Sequence, residues 1–378
     1  AVIAEVMDRV ARRLGLAPEG VRERNFYRGT GETNTTHYGQ DLGDNRILRV
    51  WNEVRARSDF AARQAEVLAF NRASRHHKRG LALQAVKFGM MPTATDKVPN
   101  TSATAASSGA DLNGQAVKNA CDALKARLAG VARSLLGLPE GAELSFAEDH
   151  VFAAGPTTGA VTTGAAERRL EFGAVVAEAY LRQVSLAATG YYRTPGLHCD
   201  RERAQGKPFH YYAYGAACCE VELDGLTGVS RLRRVDIVHD VGDSLNALVD
   251  RGQIEGGFVQ GLGWVTNEEL VWNSGGRLLT TAPSSYKIPT DADVPEHFTV
   301  HLLERAAQPG VIYGSKAVGE PPFMLALGVR EALRSAIAAF GDAPSEVALA
   351  LLAAPEATLW ALEQVRQVQP EATPVLGD

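Results

Sequence analysis

The sequence predicts an α+β fold. Three observations lead there. Helical and strand periodicities both occur, with no regular β–α repeat. Alternating apolar residues over 209–241 flank a turn at Asp224-Gly225-Leu226-Thr227-Gly228, the pattern of a β-hairpin. A long apolar helical stretch over 321–340 opens on Pro321-Pro322.

The elements follow in order. Val6, Val10 and Leu14 sit at helical spacing with charges between them, so residues 4–14 are expected to form an amphipathic helix. Residues 29–46 are rich in Gly, Thr and Asn and read as a loop. The helical pattern returns from Ile47 to His76. Residues 96–114 carry five Ser/Thr and four Ala, with almost no bulky side chain. They run into a helix expected from about Leu112 to Leu128. Such a loop at a helix N-terminus can hold an anion on its backbone N–H groups, or it can be a close-packed crossing. The segment 252–264, GQIEGGFVQGLGW, places five glycines in a helical apolar pattern. Each costs about 1 kcal/mol relative to Ala, so a close neighbour to this backbone is expected. A strand at 298–304 and two short helices in 345–367, broken at Pro355, complete the chain.

Composition narrows the function. The 378 residues suggest two or three domains. A net charge of −5 argues against a nucleic-acid partner. No apolar run reaches membrane-spanning length, so no membrane partner is expected. The sequence starts at Ala1 without Met and without signal-peptide features, which suggests a fragment or a processed chain. Cys121, Cys199, Cys218 and Cys219 lack metal-ligand spacing and are expected as buried thiols in a reducing, cytoplasmic compartment. His76-His77, among basic residues, reads as a solvated turn. No phosphate loop, dinucleotide fingerprint or zinc signature is present, and no side-chain metal ligands are assigned.

Two features carry candidate chemistry. Glu320, in Gly319-Glu320-Pro321-Pro322, precedes a helix in an apolar neighbourhood where Lys316 is the only other charge. Desolvation would raise its pKa and the helix dipole would lower it; it is a candidate general base, or an ordinary capping residue. Gln253 and Gln260 lie seven residues apart on one face of the glycine-rich helix. Their amides suit an oxyanion or a polar heterocycle, or simply a helix surface.

Four segments, taken together, resemble one family: GSKAVGEPPF (314–323), GQIEGGFVQGLGW (252–264), APSSYKIP (282–289) and VPNTSATAASSGADLNGQAV (98–117). They are similar to the molybdenum-binding subunit of the xanthine dehydrogenase/aldehyde oxidase family, over its C-terminal half. The resemblance implies an elongated α+β molybdopterin-binding architecture. It implies the end of a first such domain at 1–50, a second at 51–345 with an internal gap near 90–92, and a helical segment at 346–378. It implies that Glu320 is the catalytic base, and that Gln253, Ala106, Ser107 and Ser108 bind the molybdenum–pterin cofactor. Ala105 and Ala106 would flank the substrate ring. The implied reaction is hydroxylation of hypoxanthine to xanthine and of xanthine to urate. Electrons would pass to 2Fe-2S clusters and FAD on other segments or chains, then to NAD. The implied partners are the rest of the molybdenum subunit and an iron–sulfur/FAD subunit or domain, in a hetero-oligomer. An aldehyde oxidase-type enzyme and a non-catalytic assembly module are the alternatives. Three departures stand out: the family's first half is absent, the text after Lys87-Phe88-Gly89 jumps ahead, and Asn246-Ala247 replaces the usual Asn-Pro.

Overall fold

The computed structural model describes residues 2–29, 31–90, 107–153, 168–341 and 346–367. Along the chain run α1 (Val2–Arg13), α2 (Pro18–Arg24), α3 (Ile47–Arg57), α4 (Phe60–Ala73), β1 (His77–Met90), α5 (Gln115–Leu136), β2 (Leu144–Ala147), β3 (His150–Ala153), β4 (Arg169–Glu171) and α6 (Phe172–Leu181). Then come β5 (His198–Asp200), β6 (Gln205–Lys207), β7 (Tyr211–Asp224), β8 (Ser230–His239), α7 (Ala247–Thr266), β9 (His297–Leu302), α8 (Leu327–Ala338) and α9 (Pro355–Gln367). Helices and mostly antiparallel strands mix as an α+β fold.

Two compact units form. One gathers 1–92, 104–108 and 195–378; the other gathers 93–103 and 109–194. Helix α9 buries Ala361, Leu362 and Val365 in the first unit's main core.

The first unit is built on a four-stranded sheet in the order β1-β7-β8-β9. The pairs β1/β7 and β7/β8 are antiparallel, and β8/β9 is parallel. The 209–241 hairpin is therefore present, with a register shift at Glu220/Val221. Both faces of the sheet are covered. Ala217, Cys219, Val221 and Leu223 pack with α7, α8 and α9, whereas Tyr214, Ala216 and Cys218 pack with Ile47, Val50 and Trp51 of α3. Successive strand residues face opposite ways, so adjacent Cys218 and Cys219 lie in different cores and no bridge forms. The expectation of four buried thiols holds for these two only. Cys121 and Cys199 are exposed, on the outer side of α5 and on the β5–β6 ribbon.

Helix α1 reverses the expected orientation. Val6, Val10 and Leu14 are exposed, and Asp8 is buried. The cause is α8, which buries Arg330 and Arg334. Asp8 Oδ2 accepts from Arg334 Nε at 3.1 Å, and Glu5 Oε2 accepts from Arg330 Nη2 at 3.0 Å. A buried guanidinium left without a carboxylate costs more than a few exposed valines.

Other boundaries moved for local reasons. The 47–76 helix is two, broken at Asp59, whose φ is +49°. Pro355 opens α9 rather than dividing two helices. The stretch 321–340 is a 3-10 turn over Pro321–Ala326 followed by α8, because two prolines remove two N–H donors. Strand β1 was not anticipated. Its basic start, His77-Lys78-Arg79, and the polar Gln84 and Lys87 within it blur the alternation.

The second unit has its own small core. Leu128, Val131 and Ala132 of α5 meet Val175 and Ala179 of α6 and Val151 of the sheet β2-β3-β4. Helix α5 runs beyond the expected Leu128 and stops at Gly137, whose φ of +63° ends it in the left-handed region.

Candidate active site

Helix α7 starts where its sequence dictates. Asn246 Oδ1 accepts from the backbone N–H of Leu248 (3.1 Å) and Val249 (3.2 Å). This N-cap works with Ala247 in the first helical position, so the Asn-Ala departure leaves the helix start intact.

The five glycines of α7 divide into two sets. A Cβ on Gly261 would lie 2.3 Å from the Phe323 carbonyl oxygen, and one on Gly257 would lie 3.1 Å from that of Gly319. A Cβ on Gly263 would meet Glu268 and Pro289. These three glycines are explained by the protein itself, the first two by the Pro321–Ala326 turn lying on the helix. The Trp264 and Phe323 rings stack there at 5.3 Å. Gly252 and Gly256 differ: a Cβ on either meets nothing within 4 Å among the described residues.

That packing places Glu320 beside Gln253. The backbone N–H of Glu320 donates to Ser107 Oγ at 2.8 Å, and Ser107 Oγ donates to Glu320 Oε2 at 3.3 Å. A Cβ on Gly319 would come within 2.9 Å of Ser107 Oγ and 3.4 Å of Gln253 Oε1. Ser107 has φ +56°, a strained conformation for a non-glycine residue, of the sort that concentrates at functional sites. Glu320, Gln253 and Ser107 thus form one cluster. Glu320 caps the 3-10 turn without a side-chain cap bond and is exposed, not desolvated as its apolar sequence neighbourhood suggested. Its apolar neighbours Pro321, Pro322 and Leu325 turn into the core instead.

Lys316 is not a second functional charge. It is buried, with Nζ donating to Asp240 Oδ2 (2.6 Å) and to the Tyr212 carbonyl (2.9 Å). Arg46 Nη1 shares Asp240 at 3.1 Å. Burial lowers the Lys316 pKa, and Asp240 works against that shift. The network ties the end of β8 to the segment leading into Glu320. The sequence offered no signal for it, because its members lie up to 270 positions apart.

The remaining predicted residues are less gathered. Ser108 is buried. Gln260 is exposed on α7, two turns from Gln253. Ala105 and Ala106 lie outside the described residues, as does most of the expected anion cradle.

The exposed Glu320 carboxylate and Gln253 amide, gathered with the Ser107 hydroxyl, offer the acceptor and donor groups that a pterin-type cofactor can use. A family model described as molybdopterin cofactor-binding domain matches residues 90–295, and the chain belongs to that family. It is 37% identical to the xanthine dehydrogenase/oxidase of Mus musculus over 90% of its length, covering 28% of that protein. It is 35% identical to aldehyde oxidase 2 of the same species, over 87% of the chain and 26% of the relative. The chain therefore spans little more than a quarter of these relatives. The mouse xanthine dehydrogenase alignment runs over 402 positions, more than the 378 residues of the chain, so that relative carries positions without a counterpart here. Among solved structures, quinoline 2-oxidoreductase from Pseudomonas putida 86 matches with a TM-score of 0.77 at 22% identity, over 96% of this chain and 51% of that one. At that identity the likeness speaks for the fold.

Proposed function

We propose that this chain is the base-carrying part of a molybdenum hydroxylase of the xanthine dehydrogenase type. The observation that supports the reading is the exposed Glu320 carboxylate, held by Ser107 beside Gln253 of α7. When bound, the molybdenum–pterin group would supply the electron acceptor and the water-derived oxygen. The chain's own residues do the rest. Ser107 occupies Oε2 of Glu320, which leaves Oε1 to take the proton of the attacking oxygen. Gln253 would donate its amide to a cofactor oxygen. Ser107 would lie on the cofactor side; the parts the family resemblance implies for Ser108, Ala105 and Ala106, cofactor binding and flanking of a planar substrate, are proposed with it.

Hypoxanthine and xanthine are the proposed substrates, with electrons leaving through 2Fe-2S clusters and FAD to NAD on other segments. The remainder of the molybdenum subunit would complete the pocket in a cytoplasmic hetero-oligomer. An aldehyde-oxidising enzyme is the second reading, favoured by the near-equal identity to aldehyde oxidase 2.

The test is co-expression with the missing half. The complex should carry molybdenum and pterin and oxidise xanthine faster than an aldehyde. Aldehyde preference selects the second reading. A complex without molybdenum or pterin in every preparation favours an assembly module instead.

A further inference from the structure

Helix α1 has two faces, and the first unit uses only one of them. The inner face is acidic: Asp8 and Glu5 reach Arg334 and Arg330, which α8 buries. The outer face is apolar. Val2, Ile3, Val6, Val10 and Leu14 are between 43% and 74% exposed. Their spacing of three and four residues lines them up as one stripe along the helix. Arg9 and Arg13, both exposed, border it. Beyond the helix the exposed Leu16 continues the apolar surface to a cavity of about 290 Å³. Leu16, Pro18 and Gln64 line that cavity together with Leu81 and Leu83 of β1. Among the described residues, β1 is the outermost strand of its sheet. An apolar stripe, a cavity and a sheet edge therefore adjoin.

Two observations bear on what covers this surface. The first is area. Helix α1 has 12 residues and is about 18 Å long. Two copies pairing through so short a stripe would bury far less than the roughly 1,200 Å² of a stable interface. The second is chain length. The chain covers 51% of the quinoline 2-oxidoreductase chain that shares its fold, so about as much polypeptide again is joined to the fold there. A body of that size can cover the stripe and the cavity together. We propose that the outer face of α1, with the Leu16 cavity beside it, is the docking surface for the rest of the molybdenum subunit. The identity of the partner rests on the reading of function above; the surface itself does not. The partner lays an apolar face on the stripe and places a side chain in the cavity. The arginines of α8 prepare the surface. By holding Asp8 and Glu5 inward they present the valines outward, so docking need not reorient the helix.

The probe is the subunit's first half, tagged and co-expressed with the full chain. Wild type should co-purify with it as a one-to-one complex, and exchange of the α1 amide hydrogens should slow in the complex. Val6→Glu/Val10→Glu should leave the circular dichroism and thermal midpoint of the free chain unchanged, because both side chains are exposed. Its affinity for the first half should fall by at least ~10²-fold. Leu14→Glu, one turn further along, repeats the test should the double variant not fold. Leu226→Glu, on the exposed β7–β8 turn, should bind as wild type does. No complex with wild type, wild-type affinity in Val6→Glu/Val10→Glu, or an equal loss in Leu226→Glu would overturn the proposal. So would a wild-type homodimer that the double variant dissolves, which would make a second copy the occupant. Molybdenum and pterin are assayed on the same complex. A complex that depends on α1 but carries neither overturns the reading of function and leaves this surface standing.

Discussion

The Ser107 hydroxyl holds Glu320 at two points, accepting its backbone N–H at 2.8 Å and donating to its Oε2 at 3.3 Å. If Glu320 is the base, the two residues have separable roles. In the complete enzyme, Glu320→Gln keeps the shape, loses the base, and should lower turnover by at least ~10²-fold. Ser107→Ala leaves the base and removes its support, so turnover should fall less. Molybdenum content should stay near wild type in both. Equal losses in the two variants would remove the separation of roles between Ser107 and Glu320.

The glycine-rich helix gives a test that needs no cofactor. Gly252→Ala and Gly256→Ala add a methyl to open space and should each stabilise the isolated chain, by up to about 1 kcal/mol. Gly261→Ala forces a Cβ to 2.3 Å from the Phe323 carbonyl and should destabilise it. Thermal midpoints of the three variants check both signs. If Gly252 and Gly256 face the cofactor, the stabilising changes should also reduce pterin retention in the complete enzyme.

These glycines show what could be read from the sequence and what could not. Their number predicted a close neighbour to α7. For Gly257, Gly261 and Gly263 that neighbour is the protein, since helix propensity cannot distinguish a packed turn from a ligand. Glu320 was legible because proline, glycine and a lone carboxylate coincide within four residues. Its partner Ser107 was legible only through the family's small-residue loop. The orientation of α1 was not legible, because its apolar spacing carries no information about the arginines that α8 buries more than 300 residues away. Strand β1 was missed.

His239 predicts acid sensitivity. It is fully buried, and burial, opposed by Asp240, lowers its pKa to about 4. Its unfolded value is about 6.5. Between these values the unfolded chain binds more protons, so this contribution is complete above pH 6.5 and is lost as the pH falls toward 4. From pH 6.5 to 5 the loss is about 2 kcal/mol. Urea unfolding of wild type and His239→Leu at the two pH values should show a steeper acid loss in wild type. Parallel pH dependence in the two proteins would remove His239 from the account.

Gln253 and Gln260 share a side of α7, but only Gln253 lies against the Glu320 cluster, with its Oε1 3.4 Å from the position of a Gly319 Cβ. Two helical turns, about 10 Å along the axis, separate the pair. Both are exposed, so a change at either should leave the fold intact. Glutamate is nearly isosteric with glutamine, but ionised it cannot donate a hydrogen bond. At position 253 it would also place a negative charge beside Glu320 and beside an anionic cofactor. Gln253→Glu should therefore reduce pterin retention or turnover sharply in the complete enzyme, and Gln260→Glu should do so much less. Metal analysis and assay of the two variants in parallel check this. Equal effects at the two positions, or none at Gln253, would detach this face of α7 from the cofactor.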